Sequence, residues 1–298
     1  MRIIDVQDID SIIESVRPEA NNDVRKKVLS IISDVRKRKD RAVKEYETKF
    51  SGAKIRTLKV TKQEIKSAYS KVRKDQIDGI KLAKNRLEKS ENAVRKKLQN
   101  ISITMDGIII KKVFLPIDIV GCYIPGGKAR YPSTVIMSVV PAKIAGVKKI
   151  VAVSPSNEKG EIDPLTLVAA DICGVDEFYK TGGAQAIAAL TYGTESIPSV
   201  DKIVGPGGAF VTLAKSLLSE VVSIDMVAGP TELAIVADAT ADAQLVVLDI
   251  ISQAEHSPDT MCCLITNSQK LKNMVLKLLE QKIRTIRRST IVEQSLRK

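Results

Sequence analysis

The stretch SQAEHSPD, residues 252–259, holds the chain's single histidine, His256, three residues after Gln253. On a helix, an i, i+3 pair projects from one face. An imidazole nitrogen beside an amide oxygen can hold a metal ion; zinc takes histidine readily and glutamine rarely. Taken alone, such a pair is more often a helix surface or an interior hydrogen bond. Four glycine-rich turns signal a second kind of chemistry: YIPGGKA (123–129), KTGGAQ (180–185), VGPGGAF (204–210) and MVAGPTE (226–232). Glycine lets the backbone approach a ligand closely and adopt positive φ, and a helix beginning just after it offers free N–H groups to an anion. No turn follows the G-x-G-x-x-G pattern. GCYIPGGKA is not a Walker loop either, because Ala129 stands where a magnesium-binding Ser or Thr belongs.

For the four turns to converge, each must follow a strand of one parallel sheet. The rhythm of the sequence after residue 100 supplies this. IDIVGCYI (117–124), KKIVAVSP (148–155), EFYKTG (177–182) and DKIVGPG (201–207) read as short apolar strands. PSTVIMSVVPAKIAG (132–146), PLTLVAADICG (164–174), GAQAIAALTYG (183–193) and GAFVTLAKSLLSE (208–220) read as the helices between them. ELAIVADA, a helix ending at SQAEH, TMCCLIT and a Lys-rich helix complete the run. Alternating strands and helices predict parallel sheet with right-handed crossovers, and ligands of such sheets sit at the carboxyl ends of the strands. Before residue 100 the apolar residues recur at three- and four-residue intervals, as in amphipathic helices, with Ser51-Gly52 as a stop signal. The fold class is therefore α/β, with two Rossmann-like parallel-sheet units and a helical N-terminal region.

The net charge of +12 suggests a nucleic-acid partner until it is mapped. Residues 1–100 hold 27 basic and 15 acidic residues, whereas the remaining 198 hold 20 of each. The basic runs VRKRKDR (35–41) and VRKKLQN (94–100) lie beside helical apolar faces. They read as solvated helix surface, since no RNA- or DNA-binding motif and only 3% aromatic residues accompany them. No apolar run approaches bilayer length, and MRIIDVQDID carries three acids and no apolar core of a signal peptide. Cys122, Cys173, Cys262 and Cys263 show no CxxC spacing, and Cys262-Cys263 read as small apolar residues of a buried strand. A reducing cytoplasm is the expected location.

GCYIPGGKA, TGGAQAIAALTYGTESIPSVDKIVGPG, IDMVAGPTE and SQAEHSPD together resemble the histidinol dehydrogenase family, from about Val28 to about Thr266. The resemblance implies oxidation of L-histidinol through the aldehyde to L-histidine, in histidine biosynthesis, with two NAD and one zinc per site. It implies that Tyr123 and Gln185 touch NAD, and that Gly208 stands where the family has an asparagine that helps to hold it. Thr231 stands where the family usually has serine near the substrate. Gln253 and His256 match two zinc ligands beside the substrate. Discontinuous domains follow as well: residues 1–121 with 230–298, and an inserted NAD-side domain of 122–229. A homodimer is expected.

The family continues past the position of Lys298, and its general acid–base Glu-His pair and two further zinc ligands lie in that continuation. Residues 1–298 are therefore expected to hold half a zinc site and no catalytic pair. Two readings follow, a piece of a longer enzyme or a shortened product that binds or scaffolds without turnover. A cysteine-dependent aldehyde dehydrogenase is a further alternative, but Cys122 and Cys262-Cys263 have no neighbouring base in the sequence.

Overall fold

The computed structural model describes residues 22–126, 130–227, 232–258 and 260–297. In chain order the first elements are helices α1 (Asn22–Ser51), α2 (Lys62–Tyr69) and α3 (Lys74–Arg95), then strands β1 (Ile101–Met105), β2 (Ile108–Lys112) and β3 (Ile119–Tyr123). Helix α4 (Pro132–Ala145), β4 (Lys149–Ser154), α5 (Pro164–Cys173), β5 (Glu177–Lys180) and α6 (Gly183–Tyr192) follow. The run continues through β6 (Lys202–Val204), α7 (Ala209–Leu218), β7 (Ser223–Ile224), β8 (Glu232–Val236) and α8 (Ala243–Ala254). It closes with β9 (Met261–Ile265), α9 (Gln269–Ile283) and α10 (Ser289–Leu296).

Strands β3 to β7 form one parallel sheet in the order β5-β4-β3-β6-β7. The chain steps outward from β3 through β4 to β5, then returns to the other side of β3 for β6 and β7. The crevice between the carboxyl ends of β3 and β6 is therefore the topological switch point. Neighbouring residues of β4 serve opposite faces: Val151 and Val153 join the core formed with α1, α6 and α7, whereas Ile150 and Ala152 join the core with α4 and α5. Helices α2 and α3 pack onto that second layer.

The ends of these helices follow from local chemistry. Thr61 and Glu64 form a capping box at the start of α2. Asp163 caps α5 by accepting from the Thr166 amide, with Pro164 in the first turn, and Gly174 closes that helix at φ 82°. Helix α1 ends at Ser51 and Gly52 follows at φ 75°, as the stop signal predicts.

Helix α1 buries Val28, Ile31, Ile32, Val35 and Val43; each fully buried side chain of this size contributes roughly 1.5–3 kcal/mol. The sequence assigns residues 1–121 to the unit that resumes at 230. Among the described residues, contacts instead group 22–227 as one unit and those from 232 onward as another. The physical reason is the apolar stripe of α1, which lies against α6 and α7 on the parallel sheet.

At Lys39 (φ 51°, ψ −131°) α1 is broken, and the break is held from outside. Lys39 Nζ donates to the carbonyls of Tyr192 (3.2 Å) and Gly193 (2.8 Å), and the Asp40 carboxylate accepts from the Ser196 amide and hydroxyl. Arg38 pairs with Asp34 and Glu45. Much of VRKRKDR is thus spent on internal contacts.

Sequence periodicity did not disclose the β1–β2 hairpin. Its strands pair antiparallel with Met105 opposite Ile108, across a two-residue Asp106-Gly107 turn with φ 49° and 81°. That dipeptide at positive φ is the favoured chemistry for so tight a hairpin.

In the unit beyond 228, β8 and β9 run parallel on either side of α8, one βαβ repeat. Val246, Val247 and Ile250 of α8 pack with Leu271, Val275 and Leu279 of α9. Strand β9 differs from the buried strand expected of TMCCLIT: Cys262 is half-buried and Cys263 exposed, because the two-stranded sheet leaves its alternate residues uncovered. Among the described residues no helix is long and apolar enough to cross a membrane.

Candidate functional site

Two of the three residues expected to touch the cofactor meet at the turn after β5. Tyr123, the last residue of β3, is buried, and its hydroxyl oxygen accepts from the Gly183 amide at 3.1 Å. Burial pushes that phenol up to about 12, a direction the Glu47 carboxylate reinforces. Gln185 lies in the first turn of α6, buried, and its Nε2 donates to Glu47 Oε1 at 3.0 Å.

The same Glu47 oxygen accepts from Thr181 Oγ1 at 2.9 Å and from the Gly182 amide at 2.8 Å. Burial raises the Glu47 carboxyl above its ordinary value, and the three donors offset only part of this. The acid of α1 thus holds the TGG turn and the Gln185 amide as one piece. Gln185 Oε1 is buried with no hydrogen-bond partner among the described residues. Gly183 must be glycine here: its φ is 61°, and a Cβ would lie 2.6 Å from Gln185 Oε1.

The third turn, GPGG after β6, backs directly onto β3. At Gly205 φ is 113°, and a Cβ there would come within 2.2 Å of the Tyr123 carbonyl oxygen. The turn is clamped by an ion pair between buried Lys215 and partly exposed Asp225. Lys215 Nζ, on α7, donates to the Gly205 carbonyl at 2.9 Å and to Asp225 Oδ1. Asp225 Oδ2 accepts from the Gly205 amide at 2.8 Å. Burial pushes the Asp225 carboxyl up, but the Lys215 ammonium and the Gly205 and Met226 amides outweigh it and hold the group below the usual carboxylate range. Gly208 precedes α7, with open space where a Cβ would stand.

Beside this ring of turns lies a cavity of about 840 Å³. Phe50 and Ser51 at the end of α1, Pro125 and Gly126 after β3, and Ser154 and Ser156 after β4 contribute to its wall. Ser156 Oγ is buried without a hydrogen-bond partner among the described residues. Tyr123, Gln185 and Gly208 do not line this cavity; the first two are interior supports of the turns around it. A dinucleotide fits the setting. Glycines approach closely at the switch point, two helices begin there, and an unpaired buried hydroxyl sits on an adjoining wall.

The proposed metal ligands stand apart from this turn cluster in sequence, in the unit beyond 228. Gln253 is in the last turn of α8, half-buried, but the helix ends at Ala254 with Glu255 as its cap, so His256 lies outside it and is exposed. The expectation of one helical face is corrected: Pro258 follows too closely for the helix to continue. One imidazole and one amide do not make a zinc shell. Among the described residues no group of three or more His, Cys, Asp and Glu side chains could hold a metal ion. Thr231 lies outside the described residues, as do residues 127–129 of the first glycine turn and 228–230 of the last.

Cys122 is no nucleophile, since burial, with the Asp225 charge, pushes its thiol up to about 12. Burial raises Cys262 as well, with Cys263 beside it.

Sequence reasoning missed Glu47 and Lys215, although each carries a readable signal. Glu47 falls four residues after Val43 on the apolar stripe of α1, and Lys215 four after Val211 on that of α7. A charge on a buried stripe needs a partner to justify it.

The histidinol dehydrogenase family model matches residues 15–298. A histidinol dehydrogenase of Methanocaldococcus jannaschii is 43% identical over 269 residues, which is 90% of this chain and 63% of that protein. One from Bacillus cereus is 45% identical over 287 residues, 95% of this chain and 66% of that protein. The crystal structure of histidinol dehydrogenase from Elizabethkingia anophelis superposes with a TM-score of 0.86 at 36% identity, over 94% of this chain and 65% of that one. The chain thus spans a little under two thirds of the length of these relatives.

Proposed function

Because the chain belongs to the histidinol dehydrogenase family, we propose that it carries the cofactor-binding part of an oxidoreductase of histidine biosynthesis. On this reading the whole enzyme converts L-histidinol through the aldehyde to L-histidine. NAD, when bound, would supply the hydride acceptor twice, first for the carbinol carbon and then for the same carbon after one water has added to the aldehyde. Its binding region is the ring of turns around Tyr123, Gln185 and Gly208, with the adjoining cavity receiving the rest of the dinucleotide. Glu47 fixes the TGG turn and Lys215–Asp225 fixes the GPGG turn, so the backbone of both turns is set before a ligand arrives. Preorganisation of this kind lowers the ordering cost of binding.

Thr231, Gln253 and His256 are assigned to the side of the substrate, the last two as zinc ligands. The two of them do not form a zinc site alone. The setting is the cytoplasm and the assembly a homodimer. The observation that carries the proposal is the GPGG turn at the switch point of the parallel sheet, held by Lys215, together with the TGG turn after β5, held by Glu47 and tied to the Tyr123 hydroxyl at the end of β3.

Titration calorimetry of the purified chain with NAD tests it. Saturable binding that Gly205→Ala abolishes supports the reading, and no heat at millimolar NAD overturns it. A second reading, a binding protein without turnover, is favoured by the donor set of SQAEHSPD, where only His256 is a strong ligand. NAD binding without NADH formation from histidinol would select it.

A further inference from the structure

We propose that Ser156 and Glu158, in the cavity beyond β4, hold the 2′,3′-diol of the adenosine ribose and make this chain reject a 2′-phosphate there. The proposal rests on the cofactor reading above and names the residues that select the cofactor. Topology sets the place. Counted from β3, the sheet order β5-β4-β3-β6-β7 is 3-2-1-4-5, the order of a dinucleotide-binding sheet. In that arrangement the dinucleotide crosses the carboxyl edge at the switch point, and an acid beyond the next strand takes a ribose hydroxyl. Strand β4 is that next strand. It ends at Ser154, and Ser156 and Glu158 follow within four residues. Both line the cavity.

The wall is set by the chain itself. A Cβ on Gly126 would come within 2.9 Å of the Pro155 ring, and one on Gly182 within 2.6 Å, so the turns after β3 and β5 both close on Pro155. Asn157 then folds the following loop back on itself. Its Oδ1 accepts from the Lys159 and Glu161 amides at 2.9 and 3.0 Å, and its own amide donates to the Glu161 carbonyl at 2.9 Å. The stem of Glu158 passes the end of α1, with its Cγ 3.9 Å from the Cβ position of Gly52. Among the described residues no cation pairs with the Glu158 carboxylate.

Ser156 is the second, independent observation. It is 5% exposed, and its hydroxyl has no hydrogen-bond partner among the described residues. A buried polar group left unpaired is unfavourable, and a ligand hydroxyl in the cavity would satisfy it. A serine hydroxyl donates and accepts, and a carboxylate only accepts, so the two together suit a pair of neighbouring hydroxyls. The charges decide against a phosphate. Arg130 Nε reaches Asp163 at 3.2 Å, so the guanidinium that a 2′-phosphate would call on is already paired. Lys159, the other cation among the described wall residues, lies in the chain between Glu158 and Glu161. A phosphate beside the Glu158 carboxylate meets like charge, and such repulsion discriminates between ligands that are otherwise alike.

Titration calorimetry of the purified chain with NAD and with NADP tests the proposal through the ratio of the two dissociation constants. NAD is expected to bind at least ~100-fold more tightly than NADP. Glu158→Gln should weaken NAD and strengthen NADP, so that the ratio falls at least ~10-fold. A merely structural role for Glu158 moves both constants by the same factor. Ser156→Ala should weaken NAD roughly tenfold. Its thermal unfolding midpoint without nucleotide should nevertheless match or exceed that of the parent, because the variant deletes a hydroxyl that is unpaired in the free chain. Equal affinity of the parent for NAD and NADP, or a ratio unchanged in Glu158→Gln, overturns the assignment and leaves the cofactor reading standing. Undiminished NAD affinity in Ser156→Ala overturns the part given to Ser156. No binding of either nucleotide overturns the assignment and the cofactor reading together.

Discussion

Removing the Glu47 side chain should unfold the cofactor side more severely than any other single change on α1. In Glu47→Ala three buried donors lose their acceptor together: the Thr181 hydroxyl, the Gly182 amide and the Gln185 amide. Each stranded donor costs about 1–3 kcal/mol. Removal of a carboxyl that burial itself disfavours offsets part of that, leaving a net loss of about 3–5 kcal/mol. Glu47→Gln keeps an acceptor oxygen in the same place and no charge.

The pH dependence separates the two effects. Because the folded-state value of Glu47 lies above its ordinary 4.5, its contribution to stability is complete below that ordinary value. The contribution is lost as pH rises through the elevated one. The glutamine variant has no such loss, so it should match the parent at low pH and exceed it at neutral pH and above. Urea unfolding curves for the three proteins across that range measure both quantities. If Glu47→Ala and Glu47→Gln were equally stable, or if the advantage of glutamine grew on acidification, the assignment of Glu47 as the buried acceptor of this turn would fail.

Gly208→Asn should fold normally, since a Cβ there meets nothing within 4 Å. A restored amide contact of on the order of 1–2 kcal/mol should tighten NAD binding up to roughly tenfold by calorimetry; unchanged or weaker binding contradicts the role of that turn. Gly205→Ala forces a Cβ to within 2.2 Å of the Tyr123 carbonyl at φ 113°, and should cost about 3 kcal/mol or more in thermal or urea unfolding. Lys215→Met leaves the partly exposed Asp225 carboxylate without its cation, for a loss of about 1–3 kcal/mol. The depressed Asp225 value contributes stability that is present at neutral pH and lost as pH falls through it; the variant lacks that contribution, so the stability gap between it and the parent should narrow on acidification. Purified residues 1–298 should hold well under one zinc per chain by atomic absorption, and should form no NADH from histidinol. The one histidine cannot serve as both metal ligand and base.

The alternation of apolar strands with capped helices was readable along the sheet. Pro132 and Gly146 bracket α4, Pro164 and Gly174 bracket α5, and both helices lie where those residues put them. Glycine turns could be read as close approaches, which the contact of Gly205 with Tyr123 makes concrete. The locks behind the turns could not be read, because Glu47 and Gly182 are 135 residues apart and no local signal joins them. Strand β7 has two residues, too few for a period to show. The Asp106-Gly107 turn was a legible hairpin signal, but its strands lack the clean alternation of a half-buried sheet, since Ile109 interrupts the polar side. The end of α8 before His256 depends on where a cap forms, the least certain feature of any helix read from periodicity.

The break at Lys39 bears on the order in which this chain folds. An isolated α1 peptide has no reason to interrupt its hydrogen-bond ladder there, because a lysine at φ 51° is strained and VRKRKDR contains neither glycine nor proline. The bend exists only while Lys39 Nζ reaches the Tyr192 and Gly193 carbonyls, 153 and 154 residues further along. During synthesis α1 therefore emerges long before its bend can be stabilised, and its two halves take their final angle only after α6 has formed on the sheet. Contacts of such long sequence separation slow the search for the native state. Lys39→Gly relaxes the backbone at the break while removing the ammonium that holds it against the Tyr192 and Gly193 carbonyls.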